Sequence, residues 1–239
     1  MKKSVLPLAF ALAVTSLPAV SFADLAFNVG VVTDYRYRGI SQTRLKPALQ
    51  GGVDFSQGGL YLGLWASSIK WIKDAGGDAS VEIDLYGGYK GELAKDVGYD
   101  VGVLTYQYPS NKLSPSTNTT EIYGALTFGP ATLKYSHAVT NTFGAPDSKN
   151  SYYLDLSAGF DVGSGVTVTP HIGYQKYTGP AGPAATYTDY SLTASKDFSG
   201  IVLSAALVGT DADKGFYASP ANGKFLGKTS LVLGAKYNF

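Results

Sequence analysis

The stretch SLVLGAKYNF, residues 230–239, alternates: Leu231, Leu233, Ala235, Tyr237 and Phe239 share one parity, and Ser230, Val232, Gly234, Lys236 and Asn238 share the other. A period of two is that of a β-strand, whose side chains point to opposite faces in turn. One face is apolar, and it finishes on an aromatic ring where a soluble domain usually trails off in solvated residues. What medium that apolar face meets decides the fold class.

The same rhythm runs outward through the rest of the chain. From Asp24 onward, segments of about ten residues alternate apolar with polar, and helical periodicity is missing. The first segment sets Leu25, Phe27, Val29, Val31 and Tyr35 against Asn28, Gly30, Asp34 and Arg36; the next sets Leu45, Leu49, Val53 and Phe55 against Lys46, Gln50 and Asp54. Leu60, Leu62 and Leu64 oppose Tyr61, Gly63 and Trp65, and Val81, Ile83 and Leu85 oppose Glu82, Asp84 and Tyr86. Continued to Phe239, the count is about twelve strands, an even number as bacterial membrane barrels require. The connections alternate too. SQGG, FGP, DVGSG and DFSG are tight, whereas YRGISQTR, PSNKLSPSTN, NTFGAPDSKN and DADKGFYASPANGKFLG are long and rich in Gly, Pro, Asn and Ser. Short turns at one end and long loops at the other is the pattern of a transmembrane β-barrel.

The other terminus bears on the compartment. MKKSVLPLAFALAVTSLPAVSFA carries Lys2 and Lys3, then an apolar run, then Ser21 and Ala23, which reads as a signal peptide over residues 1–23, leaving 24–239 as the barrel domain. Those 23 residues hold two of the 19 basic residues and none of the 18 acidic ones, so the remainder is nearly neutral, which argues against nucleic acid as a partner. Cysteine is absent, so neither disulfides nor thiolate metal sites are available, and no cofactor is implied. In hydrocarbon every backbone N–H and C=O must find a partner, so the last strand must seal against the first. The expected fold is therefore an all-β, antiparallel transmembrane barrel of about twelve strands. Its greasy outer face meets outer-membrane lipid, and Phe239 sits at the short-turn interface, where aromatic girdles lie.

Tyr237 and Phe239, with apolar residues at the preceding alternate positions, resemble the C-terminal signal that the barrel-assembly machinery of Gram-negative bacteria reads. Two blocks carry a second resemblance. VGVVTDYRYRGISQTRLKPALQGGVDFSQGGLYLGLWASSIKW (29–71) and SVEIDLYGGYKGELAKDVGYDVGVLTYQYP (80–109) are similar to the TorF-type porin family, also known as Gcw_chp, while beyond about residue 110 mainly the strand rhythm persists. The resemblance implies an outer-membrane barrel with a pore; it implies no substrate and no catalytic residues.

Parity assigns Asp34, Arg36, Arg38 and Lys46, beside Glu82, Asp84, Glu121, Asp155 and Asp189, to the loop-side half of the lumen. Opposed charges in a water-filled pore would set up a transverse field that selects small hydrophilic solutes. The same groups would serve equally as a hydrogen-bonded plug, since about twelve strands lies between barrels filled by side chains and barrels holding a channel. Inward glycines at Gly30, Gly52, Gly63, Gly88, Gly102 and Gly173 favour a narrow open lumen. Catalysis is the less favoured alternative. His137 faces lipid and His171 the lumen, so the two do not converge, and neighbouring Ser136 points away from His137. The reading from sequence is a passive diffusion channel, not an enzyme, with a lipid- or peptide-cleaving barrel and a plugged structural or adhesive barrel as alternatives.

Overall fold

The computed structural model describes residues 24–239; the signal-peptide reading of residues 1–23 lies outside the described residues. Twelve antiparallel strands form one closed sheet: β1 (Asp24–Val32), β2 (Ala48–Gln57), β3 (Leu60–Ser68), β4 (Val81–Ala94), β5 (Val97–Gln107), β6 (Thr119–Phe128), β7 (Ala131–Ala138), β8 (Tyr152–Ala158), β9 (Val166–Lys176), β10 (Tyr187–Phe198), β11 (Ile201–Thr210) and β12 (Ser230–Asn238). Each strand pairs with its neighbours in sequence, and β12 returns to β1 with Asn28 opposite Asn238 and Val32 opposite Gly234. Phe27 and Phe239 add a reciprocal pair of backbone bonds at 2.9 and 3.0 Å, and the Phe239 ring stacks on Phe27 at 5.8 Å and Tyr237 at 5.4 Å. The terminal ring is thus part of the closure.

β8 resumes at Phe160–Asp161 after an interruption, with Ser157 opposite His171 and Phe160 opposite Val168. The gap faces Thr169–Pro170, and Pro170 has no N–H to give to a ladder.

Outside, the wall is apolar along its length: Leu62 is 54% exposed, Leu126 55% and Leu192 52%. A monomer in water does not display so continuous an apolar belt, so the belt is a lipid-facing surface. Inside, the parity predicted from sequence holds on the strands, with one correction about the glycines. A Cβ on Gly63 would strike the Tyr86 ring, on Gly88 the Tyr61 ring, on Gly102 the Tyr123 hydroxyl and on Gly173 the Tyr153 hydroxyl. These four glycines are covered by aromatic rings and do not widen a pore.

Candidate functional site: the barrel lumen and its plug

After Val32 the chain leaves the wall. Thr33 makes a last pair of contacts with Leu233, its N–H donating to the Leu233 carbonyl at 2.9 Å and its Oγ1 accepting from the Leu233 N–H at 3.0 Å, and Asp34 is already buried in the lumen. Asp34 organises residues 36–43: it accepts hydrogen bonds from Arg36 Nε at 2.5 Å, Ser41 Oγ at 2.5 Å and Thr43 Oγ1 at 3.1 Å. Between these donors Arg36 pairs with Ser41 and Tyr37 with Ile40 around Arg38 (φ 45°) and Gly39 (φ 78°). Two positive φ values make a hairpin turn of the type that suits right-twisted strands, and Gly is at ease in it.

This hairpin crosses the loop end of the barrel and touches its wall on nearly every side. Tyr35 donates to Glu82 of β4 and packs edge-on against Trp65 of β3 at 5.3 Å. Tyr37 donates to the Tyr106 hydroxyl of β5 at 2.9 Å. Arg38 Nη2 donates to Glu121 Oε2 of β6 at 2.7 Å and Nη1 to Gln175 Oε1 of β9, with the guanidinium over the rings of Tyr37 at 4.8 Å and Tyr153 at 4.3 Å. Gly39 lies against Asp189 and Thr210, where a Cβ would clash, and Arg36 Nη1 closes the circuit on the carbonyls of Leu226 and Lys228 at 3.0 and 3.1 Å.

Burial disfavours the Arg38 charge, but Glu121 beside it outweighs that and holds the guanidinium well above its ordinary range. Burial, then the Glu82 and Asp84 carboxylates, push the Tyr35 hydroxyl well up, so it stays a proton donor.

The predicted lumenal residues divide accordingly. Asp34, Arg36 and Arg38 are in the lumen but stand on the loop hairpin, not on β1 as the alternation suggested, and they are sequestered: the Arg38 side chain is 7% exposed and that of Glu121 2%. Tyr35, predicted to face lipid, is likewise inside. Glu82 is held by two phenols, Tyr35 and Tyr108, and Asp84 is buried with one carboxylate oxygen unpartnered. Asp155 and Asp189 flank His171, with Asp155 Oδ2 2.7 Å from Nε2 and Asp189 Oδ1 3.6 Å from Nδ1, and Tyr153 donates to Asp189 at 2.9 Å. Lys46 departs from the prediction. It precedes β2 and is exposed, because Arg44 and Leu45 both take φ near 60° and break the alternation that pointed it inward. Gln175, Tyr106 and Tyr153 belong to the plug's seat and were not singled out from sequence; only the hairpin's register against the wall identifies them.

Towards the short-turn end the lumen changes character. Inward residues of the loop half are buried, among them Glu82, Tyr106, Thr119, Glu121, Gln175 and Asp189, whereas Ser191, Thr193, Ser195, Thr167, Thr169 and Ser204 are half-exposed. On the facing wall Tyr86 donates to Asp54 at 2.5 Å, Tyr61 to Asp100 at 2.6 Å, and Lys134 Nζ lies 3.9 Å from the Tyr123 ring centre. The lumen is sealed at the loop end; towards the short-turn end it is polar and partly exposed, with Asp100, Thr127, Ser157 and Val202 still buried. His171 lies opposite Ser157 and Ser191 across the ladder, but its ring nitrogens go to acids and to Tyr153, so no serine is set up as a nucleophile by it.

A family profile described as "Bacterial protein of unknown function (Gcw_chp)" matches residues 17–239. No curated protein matches the chain. Among solved structures, the NanC porin in a rhombohedral crystal form is similar with a TM-score of 0.54 at 11% identity, over 90% of this chain and 99% of that one. The COG4313 outer membrane channel from Pseudomonas putida F1 gives 0.49 at 17% identity, over 98% and 99%. LpxR from Salmonella typhimurium gives 0.44 at 9% identity, over 90% and 99%. At these identities the likeness to the NanC porin is one of fold.

Proposed function

We propose a function from the premise that the chain belongs to the Gcw_chp family of bacterial proteins of unknown function: it is an outer-membrane channel for small hydrophilic solutes, closed at its loop end by the hairpin Arg36–Ser41. The observation that carries this is the form of the closure. The hairpin is a separate two-stranded sheet that forms no ladder with any barrel strand: side chains hold it to the wall, and the Ser41 N–H bond to the Leu226 carbonyl, with Ile40 packed against Tyr187, Ala212 and Leu226, holds it to the loops, so its release would break no bond of the barrel ladder. Below it the lumen is polar and partly exposed, as suits a path for hydrophilic solutes. The tightness of the same seal favours a second reading, a plugged barrel with a structural role, because removing one partner of a buried ion pair costs about 3–5 kcal/mol and Arg38–Glu121 is such a pair.

Planar-bilayer recordings separate the two. The parent is expected to be mostly closed with brief openings, and a variant with residues 36–41 replaced by a short Gly/Ser linker is expected to conduct steadily. Silence from both proteins, each shown to be folded and inserted, would remove the channel and leave the structural barrel.

A further inference from the structure

Arg38 is held by groups from three different strands of the wall. Glu121 of β6 and Gln175 of β9 each accept from one Nη atom, and the guanidinium carbon lies 4.3 Å from the centre of the Tyr153 ring of β8. Each of the three has a wall partner of its own. Gln175 Nε2 donates to the Tyr152 carbonyl at 3.1 Å, which leaves Oε1 to face the guanidinium. Tyr153 donates to Asp189 at 2.9 Å, and its ring covers Gly173; Glu121 accepts from Tyr106 at 3.3 Å. None of these holding bonds comes from the hairpin.

The charge of the wall points the same way. Among the described residues, the buried charged groups on the barrel strands are Glu82, Asp84, Asp100, Glu121 and Asp189, and all of them are acids. Two half-buried wall cations are already engaged: His171 stands between Asp155 and Asp189, and Lys134 Nζ rests on the Tyr123 ring. The cation set against these buried acids comes from the hairpin. It is Arg38, since Arg36 is paired with the hairpin's own Asp34. When the hairpin leaves, that cation leaves with it, and an acidic, aromatic cradle faces the open lumen.

We infer that this cradle is the solute-binding site of the channel, that the solute carries a guanidinium group, and that Arg38 is a tethered competitor for the same place. The inference deepens the channel reading above and rests on it. A guanidinium presents two Nη ends in one plane, so it reaches acceptors on β6 and β9 at once while it stacks on a ring. An ammonium is a single point charge and meets that spacing poorly. A solute that takes the cradle binds only the state in which the hairpin is out, so it raises the open fraction as it competes with Arg38.

The test uses the full barrel refolded into proteoliposomes. Entry of radiolabelled L-arginine is compared with that of L-citrulline, its neutral isostere, and of L-lysine, which has the charge without the planar head. The same solutes are offered to the variant with residues 36–41 replaced by a Gly/Ser linker, in which nothing competes for the cradle. In both proteins arginine is expected to enter saturably, about tenfold faster than citrulline at low concentration, and faster than lysine. Glu121→Gln and Gln175→Leu are each expected to bring the arginine-to-citrulline ratio towards one, although both also loosen the hairpin. Tyr35→Phe loosens the hairpin at Glu82 and leaves the cradle intact, so it is expected to raise entry of all three solutes at an unchanged ratio. Equal entry of arginine and citrulline, equal entry of arginine and lysine, or one and the same ratio in Glu121→Gln, Gln175→Leu and Tyr35→Phe would each overturn the site while leaving a channel. Entry of no solute through the linker variant, shown to be folded and inserted, would remove the channel itself and the solute site with it.

Discussion

Leu62 and Gly63 are neighbours on β3 with opposite surroundings. Leu62 faces outward and is 54% exposed, so a charge there would enter hydrocarbon. Leu62→Arg is expected to destabilise the barrel by about 2–4 kcal/mol if it lies near the bilayer midplane, read as a shift in urea-dependent refolding into liposomes. Gly63 faces inward, opposite Tyr86, whose ring occupies the place of the missing side chain and whose hydroxyl donates to Asp54. Gly63→Val must displace that ring and is expected to cost about 1–3 kcal/mol in the same assay; a neutral effect there would mean that the ring does not cover the glycine. Alternation alone showed which way each residue points, and on the strands it was right. It did not show that inward glycines are occupied, because the ring that fills each place comes from a neighbouring residue that only the register identifies.

At the scale of the element, the hairpin and the closing strand carry separate predictions. Glu121→Gln removes the charge that Arg38 faces while keeping the size of the side chain, so the guanidinium remains buried with only amide and aromatic partners. The hairpin is expected to leave the lumen more often, so that trypsin cuts after Arg36 or Arg38 in the folded variant at a rate at which the parent stays intact; equal protection would place the hold on the hairpin elsewhere. For β12, deletion of Phe239 removes the bonds to Phe27 and the stacked rings, and insertion into the outer membrane is expected to fall sharply, measured as heat-modifiable protein in membrane fractions. Normal levels would sever the terminal ring from assembly. The closing strand was legible because its period, its aromatic end and the need for closure all agree. The hairpin was not. Its start at Thr33–Asp34 interrupts nothing in the alternation, and what turns the chain inward is Asp34 collecting donors from Arg36, Ser41 and Thr43, which is a tertiary arrangement. Lys46 was misplaced for the related reason that two left-handed residues stand just before it.

For the whole molecule, short turns and long loops lie at opposite ends of the closed sheet, and the exposed charges divide along the same axis. A barrel inserted with its termini and short turns towards the periplasm would present the basic loops, with Lys149 exposed, to the outside, and the turn at Lys95–Asp96 to the periplasm. The sequence has no cysteine, so single cysteines report position without background. Lys149→Cys is expected to react with a membrane-impermeant maleimide in intact cells, and Asp96→Cys only after the outer membrane has been permeabilised. Both sites are exposed and lie outside the strand ladder or at its edge, so neither substitution removes a buried contact. Labelling of Asp96→Cys but not Lys149→Cys in intact cells would invert the orientation and move the plugged end to the periplasm. Labelling of neither before permeabilisation, with both reactive afterwards, would take the chain out of the outer membrane, and with it every role that depends on that location.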